Sequence, residues 1–184
     1  MLNKFGVIMV KKMIPSMLTL GNLLLGFTAI LMTFNDRMKI AILLIIAGLI
    51  CDFFDGFCAR KLHVESAMGK ELDSLADLVT FGVAPAILVH IFSLNQIPVF
   101  GIICCLVYVS CSALRLARFN AEQSHISGFI GMPTPLAALL VLLLAVTLKP
   151  LAVAVGTLLI GLLMVSHFSF PSLKKVEPEV VEDC

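Results

Sequence analysis

Long apolar runs separated by short polar stretches dominate the chain. They predict an all-α, polytopic membrane protein with six transmembrane helices, at 14–34, 38–60, 70–92, 99–119, 134–148 and 151–168. The second run is purely apolar only to Ile50, and its far half carries charge. The last two runs are short. A single tilted helix over 134–168 would have to pass through Lys149-Pro150, where proline costs about 3 kcal/mol, so a hairpin is expected there. Lys11 and Lys12 precede an apolar run from Met13 to Phe34. That run exceeds the roughly 7–15 apolar residues of a signal peptide and lacks a small-x-small cleavage site, so it is read as a retained first helix. Residues 1–171 form one membrane domain with no room for a soluble one. Residues 172–184 form a polar, acidic tail with Pro178, expected to be disordered.

Composition agrees with a lipid environment. Of 184 residues, 60% are hydrophobic and 14% charged, against roughly 25% charged in soluble domains. Mean hydropathy is +1.07. A net charge of +1 supplies no basic field for nucleic acid, which is excluded as a partner. The placement of the charges says more than their sum. With six crossings, Lys4, Lys11, Lys12, Arg60, Lys61, Lys70, Arg115, Arg118, Lys174 and Lys175 fall on one side, and Arg37, Lys39 and Lys149 on the other. This division predicts a multi-pass protein of the cell (inner or plasma) membrane with both termini in the cytoplasm. The six cysteines form no CxxC pair and are read as small buried hydrophobes, not as a disulfide or zinc framework. His63, His90, His125 and His167 show no paired ligand spacing.

Four acids interrupt the apolar pattern. Asp52 and Asp55 are three apart and share a helix face; Asp73 and Asp77 are four apart and share another, with Gly69 one turn back. A short loop around His63–Ser66 would let the two helices pack antiparallel with their acidic faces opposed. A carboxylate at membrane depth costs several kcal/mol unless paired, hydrated or bound to metal. Four convergent carboxylates make an oxygen-rich site suited to Mg²⁺ or Mn²⁺. Gly56 and Ala59 remove bulk beside the acids, and Arg60 offers a guanidinium fork suited to phosphate. Together these features describe a diphosphate site at a membrane surface, facing the cytoplasm. The plain alternative is a set of helix-end acids solvated by water, which predicts no such regular spacing.

The stretch Asp52-Phe53-Phe54-Asp55-Gly56-Phe57-Cys58-Ala59-Arg60, followed by Gly69, Asp73 and Asp77, resembles the DxxDGxxAR…GxxxDxxxD signature of the CDP-alcohol phosphatidyltransferases at every fixed position. The resemblance implies that family's six-helix fold, a homodimer, and two divalent metals per site. It also implies transfer of a phosphatidyl-type group from a CDP-linked donor to an alcohol, with release of CMP. By the same resemblance Asp52, Asp55 and Asp73 bind metal, and Asp77 binds the second metal and acts as general base. Gly56, Ala59, Arg60, Ser66 and Gly69, with Thr19 from the first helix, are assigned to the CDP-diacylglycerol donor.

Three further stretches are similar to the phosphatidylserine synthase branch of that family. They are Ile14-Pro15-Ser16-Met17-Leu18-Thr19-Leu20-Gly21-Asn22, Arg115-Leu116-Ala117-Arg118-Phe119-Asn120 and Phe129-Ile130-Gly131-Met132-Pro133-Thr134-Pro135. The branch usually carries Asn where Ser16 stands. L-serine is therefore the acceptor this resemblance implies. Serine brings a carboxylate, and Arg115 and Arg118, three apart on one helix face, can bind it bidentately. Both arginines can equally be cytosolic anchors that snorkel to the interface. Gly128, Gly131, Pro133 and Pro135 either shape the floor of the site or simply form a loop and helix start. Three rivals stay open: the same chemistry on glycerol 3-phosphate or an inositol compound, a divalent-cation transporter, and a non-catalytic scaffold.

Overall fold

The computed structural model describes residues 2–62, 66–122 and 132–166, with backbone alone for residues 2–14. Its elements are α1 (Leu2–Phe34), α2 (Met38–Leu62), α3 (Ala67–Asp77), a π-helical turn (Leu78–Val83), α4 (Ala84–Phe92), a 3₁₀ turn (Leu94–Gln96), α5 (Pro98–Glu122), α6 (Thr134–Thr147) and α7 (Pro150–Val165). No strand occurs among the described residues. The acidic tail, His63, His125, His167, Gly128 and the Phe129–Gly131 part of the third similar stretch lie outside the described residues, as does the predicted end of the last helix.

Local sequence explains the helix limits. At the end of α1 the Asn35 side chain donates to the Leu31 carbonyl at 2.9 Å. Asp36 takes a left-handed backbone with φ 57°, a conformation that Asn and Asp tolerate better than other L-residues. The chain then reverses into α2. Lys149-Pro150 breaks the last apolar stretch as expected, with Pro150 opening α7 at a position where its missing N–H is harmless.

Among the described residues, four helical stretches are long and apolar enough to cross a membrane: Pro15–Phe34, Met38–Leu62, Ala67–Phe92 and Pro98–Ala121. Helices α6 and α7 have 14 and 16 residues, giving lengths of ~21 and ~24 Å, short of a hydrocarbon core of about 30 Å. The break at Lys149-Pro150 is what limits both.

Helix α1 packs along α2 and also along α3. Helices α2 and α3 make almost no direct contact among the described residues. Both helices lean on α1 and leave a gap between them, and across that gap their acidic faces oppose, as the sequence predicts. Like charges on both faces oppose closure of that gap. On the other side, α5 packs against α7, and α6 against α7 and α4. The core joins Ala41, Ile45, Phe81, Tyr108, Val141 and Val153. Leu24, Leu43, Leu106, Leu143 and Leu159 project outward and are exposed, as expected of side chains that face lipid.

Candidate active site

The gap between α2 and α3 is a cavity of about 370 Å³. Asp52, Asp55 and Asp73 line it, as do all six residues assigned to the donor: Thr19, Gly56, Ala59, Arg60, Ser66 and Gly69. Pro15, Ser16, Phe53, Lys70, Phe119 and Asn120 complete the wall. Asp52 lies ten residues before the end of α2, and Asp77 closes α3 ten residues after its start, where the chain runs on into the π-helical turn; each is ~15 Å from that helix end.

One carboxylate oxygen from each of Asp52, Asp55 and Asp73 lies within 4.8 Å of the other two. Asp55 Oδ2 and Asp73 Oδ1 are buried and have no hydrogen-bond partner among the described residues. Three carboxylates this close repel unless a cation lies among them, and buried acceptors without donors are costly. Oxygen-only donors suit a hard divalent cation. The residues present therefore fit such an ion. Asp77 is not part of this group. Its carboxylate is buried and accepts a hydrogen bond from Asn22 Nδ2 at 3.1 Å.

The small residues differ in why they are small. A Cβ built on Gly56 would meet, among the described residues, only the Arg60 guanidinium at 3.8 Å, so packing does not demand glycine there. The space it leaves belongs to the cavity. On Gly69 a Cβ would come to 3.1 Å from Ser66 Oγ. Ser66 caps α3: its hydroxyl oxygen accepts from the Gly69 N–H at 3.1 Å. Ser66 thus combines a capping role with a place in the cavity wall. Behind that wall, Asn120 Oδ1 accepts from Ser74 Oγ at 3.1 Å, and Asn120 Nδ2 donates to Glu71 Oε2 at 3.2 Å. This network locks the end of α5 onto α3.

The two candidate serine-binding arginines have different surroundings. Arg115 is half-buried, donates to Thr134 Oγ1, and lies 5.7 Å from the centroid of the Phe119 ring. Asp77 and Asp52 are its electrostatic neighbours. Arg118 donates to the Val165 carbonyl at 3.2 Å, tying α5 to the end of α7. Neither lines the cavity. Pro133 precedes α6 and Pro135 lies in its first turn, in keeping with the helix-start reading of both.

Sequence reasoning gave no role to Asn22, Lys70 or Asn120. For Asn22 a signal was present, since an amide in an apolar span needs a partner. The other two are ordinary polar residues until the fold brings α3 and α5 together.

The chain matches the family model described as CDP-alcohol phosphatidyltransferase over residues 12–167. It is 47% identical to the CDP-diacylglycerol–serine O-phosphatidyltransferase of Bacillus subtilis, covering 92% of this chain and 96% of that protein. It is 39% identical to the protein of the same name from Methanocaldococcus jannaschii, over 86% of this chain and 73% of the relative. Identity to the Mycobacterium leprae protein of that name is 42% over 75% of this chain, which spans only 48% of that longer relative. No solved structure matches. A match of this extent, on a chain where Asp52, Asp55 and Asp73 line one cavity, makes this protein a member of the CDP-alcohol phosphatidyltransferase family.

Proposed function

We propose that this protein is a CDP-diacylglycerol–serine O-phosphatidyltransferase, joining CDP-diacylglycerol and L-serine to give phosphatidylserine and CMP. The observation that carries the reaction class is the convergence of Asp52, Asp55 and Asp73 in a cavity whose wall also holds Gly56, Arg60 and Gly69. Serine as acceptor is supported by the 47% identity to the Bacillus subtilis enzyme over nearly the whole of both chains.

In this reading Asp52, Asp55 and Asp73 hold divalent metal, Mg²⁺ or Mn²⁺, two per site with Asp77 completing the second set. Ions bound there would supply positive charge against the diphosphate and the departing phosphate. Gly56 lets the donor approach the α2 backbone, and Arg60 binds its phosphate oxygens through the guanidinium fork. Asp77 takes the proton of the serine hydroxyl. As it does so, the serine oxygen bonds to the phosphorus that carries diacylglycerol, and the bond from that phosphorus to the CMP oxygen breaks. Arg115, beside Asp77 and Asp52, is the better placed arginine for the serine carboxylate. Phe53 lines the cavity and is 65% exposed, so it leads from the site to lipid, where the acyl chains stay.

The finer architecture follows from the same reading. Helices α6 and α7 complete six crossings, both termini and the site face the cytoplasm, and the enzyme works as a homodimer. One assay tests the function. Purified protein is given CDP-diacylglycerol, Mg²⁺ or Mn²⁺, and in turn serine, glycerol 3-phosphate or inositol. CMP release with serine alone is expected; release only with another alcohol would overturn serine as the acceptor.

A further inference from the structure

Asn22 lies in the apolar part of α1 and is fully buried. Its Nδ2 donates to Asp77 Oδ1 at 3.1 Å, while its own Oδ1 has no hydrogen-bond partner among the described residues. The opposite amide orientation would set Oδ1 against the carboxylate, lone pair to lone pair. An unsatisfied buried amide oxygen is costly, so its persistence calls for another requirement that fixes the orientation.

The backbone of Asn22 is held as well. Thr80, in the π-helical turn three residues after Asp77, donates from Oγ1 to the Asn22 carbonyl at 3.0 Å. Thr80 fits a notch that only glycines leave open. A Cβ on Gly26 would stand 2.7 Å from Thr80 Cα, and one on Gly48 would stand 2.7 Å from Thr80 Cγ2 and 2.8 Å from Asn22 Oδ1. From the far side, Tyr108 donates its hydroxyl to the Phe81 carbonyl at 2.9 Å and steadies the same turn. One helix thus grips Asn22 twice, at the amide through Asp77 and at the carbonyl through Thr80.

We infer that Asn22 is a positioning residue for Asp77, occupying Oδ1 so that Oδ2 is the oxygen that takes the proton of the acceptor hydroxyl. This rests on Asp77 as the base proposed above. Asn22 is fully buried and does not line the cavity, so its loss acts on turnover and not on binding. A hydrogen bond to a charged group carries enough free energy to change turnover about 10- to 150-fold.

The test uses the full chain in detergent micelles with CDP-diacylglycerol, serine and Mg²⁺. Asn22→Leu keeps the branched four-atom side chain and removes the donor. It is expected to lower kcat about 10- to 150-fold, leaving the KM for serine and the Kd for CDP-diacylglycerol within about threefold of wild type. In an Asp77→Glu background the same substitution should cost much less, because the geometry it protects is already altered. Should Asn22→Leu not fold, Thr80→Val and Thr80→Ser decide. Valine removes the hydroxyl and should lower kcat; serine restores the donor and should recover most of it. Wild-type kcat in Asn22→Leu, an equal fall in substrate affinity, or no difference between the two Thr80 variants would overturn the inference. An active Asp77→Asn would instead overturn the base assignment itself, a distinguishable result.

Discussion

Asp55 and Asp73 each keep a buried carboxylate oxygen without a donor among the described residues, and this makes their removal two-sided. Asp73→Asn preserves size but takes away charge that a cation needs, so turnover should be lost while the protein still inserts. Without divalent cation the same change removes repulsion from Asp52 and Asp55, so the variant should melt higher than wild type under chelation. Thermal unfolding with and without Mg²⁺ reads both effects; a variant that keeps the wild-type response to Mg²⁺ would mean that Asp73 is not a ligand. Arg115 and Arg118 separate in a serine titration at saturating donor. Arg115→Ala should raise the KM for serine about 10- to 150-fold, the worth of a charge-assisted hydrogen bond. Arg118→Ala should chiefly lower melting temperature and yield, because its guanidinium ties α5 to the Val165 carbonyl. Unchanged serine dependence in Arg115→Ala would remove it from the acceptor site. At this scale much was legible in the sequence. The spacing of the acids follows from two helices, while the donor-side residues are assigned by the resemblance to the family. Asn120 was not legible, because its partners Ser74 and Glu71 lie 46 and 49 residues away and only the fold selects them.

Periodicity predicted the helices well, since apolar length and proline placement are local properties. It could not predict the π-helical turn between Asp77 and Ala84, where the Phe81 carbonyl is taken up by a partner elsewhere in the fold. That partner is Tyr108, 27 residues from Phe81. Nor could it show that α1 would pack along both α2 and α3, because a helix that is apolar all round does not announce which neighbour it meets. The membrane orientation is a property of whole elements and rests on the basic residues. A reporter that works only outside the cytoplasm, fused after Glu182, is expected to stay silent. Activity from that fusion would mean an odd number of crossings, with α6 and α7 together making one.

For the whole molecule, the gap held open between α2 and α3 makes stability depend on what fills it. A cation that binds only the folded state adds about 2.7 kcal/mol at a concentration 100 times its Kd. Removing Mg²⁺ and Mn²⁺ with a chelator should therefore lower the melting temperature in detergent, and either ion should restore it. A melting temperature indifferent to chelator would contradict the cation site.

The same acids bear on how the chain enters the membrane during synthesis. On the scale set by translocon insertion, an Asp at mid-helix opposes entry by about 2.5–3.5 kcal/mol, so Asp52 and Asp55 together oppose it by roughly 5–7. The twelve Leu, Ile and Phe residues of α2 favour entry by about 4–7 kcal/mol. As a lone segment α2 is thus close to balance. Its three-residue link to α1, and the long contact between them, point to the two entering as a hairpin. The acids would then wait, unopposed, until the third helix leaves the ribosome.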